Sequence, residues 1–140
     1  MAQVNAYLNF NGNCREAMTF YKDCLGGELS LQTFEGTPME AQCPAAMKHH
    51  IMHSSLMNKG FLLMASDMVG PEGFHKGNNI SLALNCNSEK EINTLFSNLS
   101  VGGKVIEPLK LQFWGDLFGY FIDKYGIGWM FTYNEKMQMQ

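Results

Sequence analysis

His53 is the titratable side chain best placed to do chemistry in this 140-residue chain. It sits mid-run among apolar neighbours in Ile51-Met52-His53, where a neutral imidazole could serve as a general base or donate a ligand nitrogen near pH 7. The bland alternative is a buried histidine hydrogen-bonded for structure. Asp67 closes the next apolar run. It could orient His53 if the fold brings the two together, or else cap the loop that follows. His49 and His50 precede His53, and regular strand alternation puts His49, Ile51 and His53 on one side and leaves His50 at a surface or loop edge. His75 lies in a glycine-rich stretch, Gly70 to Gly77, and is expected to be exposed.

Other chemistry-bearing motifs lead to less. Cys14, Cys24, Cys43 and Cys86 form no Cys-x-x-Cys pair and no cluster with the histidines, so they read as free thiols of a reducing, cytoplasmic compartment. Gly126-Ile127-Gly128 contains a G-x-G, but it stands between two strand-like runs and opens no helix, which rejects a nucleotide fingerprint. Phe113, Trp114 and Trp129 are the aromatic candidates for stacking on a ligand, with core packing or a dimer contact as the alternative.

These residues need elements to hold them, and two stretches announce themselves by their ends. Asn13 with Glu16 forms a capping-box pair, Cys14, Ala17, Met18, Tyr21 and Leu25 recur at helical spacing, and Gly26-Gly27 stops the helix. Ser88 with Glu91, then Ile92, Leu95, Phe96 and Leu99, then Gly102-Gly103 repeat the pattern about 75 residues later. Strand-like runs flank each helix: Val4 to Phe10 and Glu28 to Phe34 around the first, Asn79 to Cys86 and Lys104 to Leu109 around the second. Each half then continues into a hairpin, His50 to Met57 with Phe61 to Ser66, and Leu117 to Ile122 with Ile127 to Tyr133. The order is β-α-β-β-β, twice. The reading is one α+β domain over 1–140, with modules 1–67 and 78–134 joined by a Gly/Pro-containing loop 68–77. Two such sheets side by side can curl into a cup-shaped open barrel, and the cup is the expected ligand site. Tyr7, Asn9, Asn79 and Gln112 are its polar lining candidates, with a facing that a one-residue register change would invert.

Composition narrows the partners. Ten Lys plus Arg face thirteen Asp plus Glu, and Arg15 is the sole arginine, so no nucleic-acid footprint can be assembled. No apolar run reaches membrane-spanning length, and the first residues lack a secretory pattern. Apolar residues make up 46% of the chain, which fits a compact fold and excludes a disordered one. The eleven methionines read as core filling.

The run Tyr7-Leu8-Asn9-Phe10-Asn11-Gly12-Asn13-Cys14-Arg15-Glu16-Ala17, with Phe20-Tyr21 and Leu25-Gly26-Gly27, resembles the opening of the PhnB-like branch of the vicinal oxygen chelate superfamily. This is the glyoxalase, bleomycin-resistance and extradiol-dioxygenase fold. Ile51-Met52-His53, Leu63 to Asp67, Leu99 to Val105, Phe113-Trp114-Gly115 and Asp123 through Trp129 continue the resemblance in order along nearly the whole chain. It implies the fold and matches His53 to the branch's histidine. It also makes Trp114, on the segment forming a rim of the cup, the first aromatic choice. The superfamily's enzymes hold a divalent metal with His, Glu or Gln from four strands. The matching positions here are Asn5 or Ala6, Met64, Asn79 and Met130, none a usual ligand for a catalytic ion. Their neighbours Leu63, Ala65, Ile80, Trp129 and Phe131 do not supply one either.

The expectation is therefore a protein that binds a small organic molecule in the cup, with no metal and no other cofactor, and that forms a homodimer as the resemblance implies. The ligand-binding candidates are Tyr7, Asn9, His53, Asn79, Gln112, Trp114 and Trp129, with His53 and Asp67 as the catalytic pair if there is one. Two alternatives stand beside it. One is a metal-dependent lyase, isomerase or dioxygenase with a displaced ligand set that includes His53; the other is a dimerising interaction module without a ligand. The branch is often described as demethylubiquinone methyltransferase-like, but no early glycine-rich strand-to-helix loop is present to hold S-adenosylmethionine.

Overall fold

The computed structural model describes residues 2–68 and 73–135, in two compact units, Met1–His75 and Lys76–Gln140. Their boundary falls inside the expected connector, of which residues 69–72 lie outside the described residues.

The first unit runs β1 (Ala6–Phe10), α1 (Cys14–Leu25), β2 (Glu28–Thr33), β3 (Ile51–Asn58) and β4 (Phe61–Asp67), with strand order β1-β4-β3-β2. β1 is parallel to β4, while the β2–β3 and β3–β4 pairs are antiparallel. The second unit repeats this with β5 (Ser81–Asn85), α2 (Glu89–Leu99), β6 (Lys104–Leu111), β7 (Leu117–Ile122) and β8 (Gly128–Tyr133), ordered β5-β8-β7-β6. The twofold β-α-β-β-β order is as the punctuation predicts. Two short 3₁₀ turns, Glu40–Gln42 and Ala45–Met47, were not expected between β2 and β3.

Each helix covers one face of its sheet because its apolar stripe has nowhere else to go. Cys14, Ala17, Met18 and Tyr21 of α1 are buried against Leu8, Phe10, Leu56, Leu63 and Ala65 of the strands. In the second unit Phe96 of α2 meets Phe121 and Phe131 edge-on, with ring centroids 4.9 and 5.7 Å apart, a geometry the ring quadrupoles favour. Burying each of these large side chains contributes about 1.5–3 kcal/mol. Alternation then sends the intervening strand residues to the opposite face, which no helix of the same unit covers.

The helix starts differ from expectation in one case. At α2 the box forms: Ser88 Oγ accepts from the Glu91 amide at 3.0 Å and Glu91 Oε1 from the Asn87 amide at 2.7 Å. At α1 Asn13 makes no side-chain cap. Asp67, from the far end of β4, caps that helix instead, accepting from the Cys14 amide at 3.0 Å. A carboxylate delivered by tertiary packing stabilises the positive end of the helix more than the local amide side chain would.

Candidate functional site

The uncovered face of the first unit gathers three of the sequence candidates. Leu8 and Phe10 of β1 and Leu63 and Ala65 of β4 are buried under α1, so Tyr7 and Asn9 lie on the other side with Met64 and Ser66, their register partners. On β3, Ser54 and Leu56 are buried, which places His53 and Ser55 on that same uncovered side. The Tyr7 hydroxyl stands 3.4 Å from His53 Nδ1, a long hydrogen bond, and their rings are 5.9 Å apart at 35°. Tyr7 is 45% exposed and His53 is exposed as well, so the pair is open to a ligand rather than locked in the core.

Regular alternation would carry Ile51 to the side of His53, and it does not. β3 pairs His53 with Gln32 and Ile51 with Thr33, leaving Met52 as the extra residue of a bulge. The bulge turns Ile51 into the core, 1% exposed. His49 stays apart from His53 and pairs with Glu35, Nδ1 to Oε2 at 2.9 Å. His50 lies in the bend that leads into β3, the loop edge expected of it, and is half-buried there, its ring approaching Gly12.

Asp67 does not reach His53. Its Oδ1 accepts from the Gly12 amide at 2.8 Å and the Cys14 amide at 3.0 Å, and Oδ2 from the Ile51 amide at 2.9 Å. The residue is 4% exposed and turned toward α1. Alternation explains this, since Asp67 shares a face with Ala65 while His53 lies on the opposite one. The catalytic assignment of Asp67 is thus corrected to a structural one, a carboxylate that ties three backbone segments together.

In the second unit the aromatic candidates separate. Trp114 is 51% exposed in the turn between β6 and β7. Its Nε1–H donates to Asp116 Oδ2 at 2.9 Å. Its ring lies 4.9 Å from that of Phe113 and 6.3 Å from that of Phe118. Trp129, by contrast, is 3% exposed and donates to Asp123 Oδ2 at 2.9 Å. Its alternation with Phe131 puts it under α2, so the ligand-binding assignment of Trp129 is corrected to core. Gln112 is half-buried in the β6–β7 turn, its amide donating to the Asp116 carbonyl. Asn79 is corrected too: it lies exposed in a bend before β5 and on no strand face, because β5 begins at Ser81.

The uncovered faces carry further residues that sequence reasoning passed over: Ser30 and Gln32 of β2, Ser55, Ser66, and Phe118. The alternation Glu28-Leu29-Ser30-Leu31-Gln32 was the signal available for the β2 pair.

Register also decides whether the superfamily's metal fits. Met64 and Met130 lie on uncovered faces as expected, but opposite Tyr7 and Ala83 rather than opposite Asn5 and Asn79. Thioether, phenol and methyl groups do not make a Lewis-acid site for a hard divalent ion. Among the described residues no group of three His, Cys, Asp or Glu side chains could hold a metal ion. The donor set does not fit the superfamily's metal.

The buried thiols are not nucleophiles. Burial pushes Cys14 up to about 11, aided by the Asp67 carboxylate and opposed by a hydrogen bond with Ser54, and burial with nearby Glu91 pushes Cys86 up to about 12. At pH 8 a disulfide-exchange reagent is expected to modify Cys24 and Cys43, which are only partly buried, and to reach Cys14 and Cys86 only after denaturation. The native thiols hold their protons above the ordinary 9.0. Their contribution to stability is therefore constant below about pH 9 and falls as pH rises toward 11–12, where the unfolded chain ionises first. Melting temperature against pH reads this directly.

A family model described as 3-demethylubiquinone-9 3-methyltransferase matches residues 2–132. Protein YjdN of Escherichia coli is 32% identical over 136 residues, covering 91% of this chain and 92% of that protein. Among solved structures, protein PA1353 from Pseudomonas aeruginosa is 40% identical with a TM-score of 0.85, covering 96% of this chain and 98% of that one. A PhnB protein from Bacillus cereus is 26% identical with a TM-score of 0.77, covering 94% and 99%. A glyoxalase/bleomycin resistance protein/dioxygenase from Nocardioides, 18% identical with a TM-score of 0.58 over 95% and 84%, shares the fold. Among the described residues no helix is long and apolar enough to cross a membrane.

Proposed function

Since the chain belongs to the family described as 3-demethylubiquinone-9 3-methyltransferase, in its PhnB-like branch with the glyoxalase/bleomycin resistance/dioxygenase fold, we propose that it binds a small organic molecule without the superfamily's metal. The observation that carries this reading is the exposed Tyr7–His53 pair, with Asn9 beside it, on a sheet face that its own helix leaves bare. Exposed aromatic and neutral polar groups on a rigid sheet suit recognition of a planar, partly apolar molecule. Trp114 and Phe118 give the second unit a comparable aromatic surface.

Methyl transfer from S-adenosylmethionine has no support in the two strand-to-helix turns. A phosphate or carboxylate bound there would need backbone amides. At α1 the Gly12 and Cys14 amides are held by Asp67, and at α2 the Asn87 and Glu91 amides are held by the capping box.

The test combines metal analysis with ligand binding. Protein purified without chelator and offered Zn, Ni, Mn and Fe(II) anaerobically should stay far below one metal per chain. Aromatic compounds that raise its melting temperature should do so equally with EDTA present. His53→Ala should weaken such a compound about tenfold, the loss of one hydrogen bond and a ring contact at roughly 1.4 kcal/mol, with the apo melting temperature little changed because His53 is exposed. Near-stoichiometric metal that His53→Ala removes would sink the proposal and favour a metal-dependent lyase, isomerase or dioxygenase.

The proposal extends to a homodimer. β6 is the edge of its sheet, and together with the turn that follows it exposes Val105, Ile106, Leu111 and Phe113, apolar surface that a second copy would cover. Sedimentation should give twice the chain mass of 15.8 kDa; a monomer at micromolar concentration would retire this part.

A further inference from the structure

The composition of the first unit's bare sheet face restricts what it can hold. β1, β2, β3 and β4 contain no lysine and no arginine. Their two acids are Glu28, which alternation puts on the bare face, and Asp67, which is buried under α1. An anionic head group needs charge-assisted donors, above all the fork of an arginine, and the strands of this face supply only neutral donors; its carboxylate, Glu28, pairs with Met57 at the end of the face away from His53.

Those neutral groups are graded across the face. Gln32 pairs with His53, and Asn9 pairs with Ser66. The Ser54–Ala65 pairing sets Ser66 next to His53, so Gln32, His53, Ser66 and Asn9 form one hydrogen-bonding row across four strands. Toward the other end of the strands the row becomes Glu28, Met57 and Leu62, with Glu28 paired to Met57 and Met57 to Leu62, and Lys59 of the β3–β4 turn lines the same surface pocket as Met57 and Leu62. A molecule lying along the strands meets amide, imidazole and hydroxyl groups at one end and, at the other, thioether and alkyl groups with the Glu28 carboxylate on the edge strand.

His53 fixes the polarity of the head group. Its Nδ1 faces the Tyr7 hydroxyl at 3.4 Å. The phenol O–H is the better donor of the two groups and an imidazole nitrogen the better acceptor, so the phenol donates to Nδ1 and the ring's hydrogen lies on Nε2, where it presents a donor. The complement of that donor is an oxygen acceptor, and with no lysine or arginine on the four strands a neutral acceptor fits better than an anion, whose charge would go uncompensated.

Resting on the binding reading above, we infer that the ligand of this face is an uncharged, partly apolar molecule bearing a carbonyl or similar neutral acceptor, and is not a carboxylate, phosphate or phosphonate. The experiment uses full-length protein labelled with ¹³C at the methionine ε-methyls and three probes that share one ring: acetophenone, benzoate and phenylphosphonate, at pH 8. Met57 and Met64 report on the face, and Met18, fully buried on the sheet-facing side of α1, reports on the fold. Acetophenone should shift the Met57 and Met64 signals saturably, with both anions at least tenfold weaker. His53→Ala should weaken acetophenone while Met18 stays in place. Anions binding at Met64 as tightly as acetophenone would overturn the charge inference and leave the binding reading standing. An unchanged acetophenone affinity in His53→Ala would overturn the acceptor assignment. Silence at Met57 and Met64 with all three probes would overturn this inference and the binding reading together.

Discussion

Replacing Asp67 with alanine is expected to cost about 4 kcal/mol of stability in the first unit, more than any change on the uncovered sheet face. The carboxylate accepts three backbone hydrogens, from Gly12, Cys14 and Ile51. Hydrogen bonds to a charged group contribute about 1.5–3 kcal/mol each, and buried donors left without partners add their own desolvation cost. The sum is capped by local relaxation and water entry. Asp67→Asn separates the components. Its amide oxygen can keep the Gly12 and Cys14 bonds, but its NH₂ then faces the Ile51 N–H, donor against donor, so about half of the loss is expected. Both tryptophans, Trp114 and Trp129, lie in the second unit, so tryptophan fluorescence reports on the wrong unit. Hydrogen exchange read on peptides covering residues 10–16 and 49–53 is the appropriate measurement. Unchanged protection there in Asp67→Ala would refute the structural assignment and return Asp67 to the catalytic candidates.

The second large effect is expected at the trailing glycine of each Gly-Gly pair. A Cβ on Gly27 would lie 2.5 Å from the Met57 carbonyl oxygen, and one on Gly103 would lie 2.2 Å from the Ile122 carbonyl oxygen. Both obstacles are backbone, at the point where the strand after the helix pairs with the hairpin. No rotamer change relieves them, so the strands must part. Overpacking of this kind costs about 1–3 kcal/mol, and Gly27 adds strain from its φ of 106°. Gly103→Ala should therefore lose about 3 kcal/mol, and Gly27→Ala somewhat more. Gly60→Ala is the control, since nothing lies within 4 Å of its would-be Cβ. Urea titrations followed by Trp129 fluorescence for Gly103→Ala and by circular dichroism for Gly27→Ala give the values. Losses no larger than that of Gly60→Ala would show that the strand ends yield more readily than close backbone packing allows.

These two predictions mark the border between local and long-range information. The Gly-Gly pairs were readable as helix stops from their place after an apolar stripe: Gly26 is the C-cap of α1, whereas α2 closes at Ser100, two residues ahead of Gly102. Their second glycines answer to a strand that arrives some 20–30 residues later, which no helix signal contains. Likewise the Ser88–Glu91 cap was readable because its partners are three residues apart, whereas the apparent Asn13 cap gave way to a carboxylate from the end of β4.

The element order and its duplication follow from the amino-acid sequence alone, since helical stripes, strand runs and glycine stops are set by neighbours along the chain. The membership of the first unit's uncovered sheet face does not. Tyr7, Asn9 and His53 were named as candidates from the sequence, yet that they share one face depends on the parallel β1–β4 register and the antiparallel β3–β4 register. The same long-range register put Trp129 and Asp67 beneath the helices and left Asn79 ahead of its strand. With a side-chain period of two, one residue of shift reverses a strand's faces. That shift is fixed by pairings between distant segments, and so the chemistry of the face was settled by the assembled sheet.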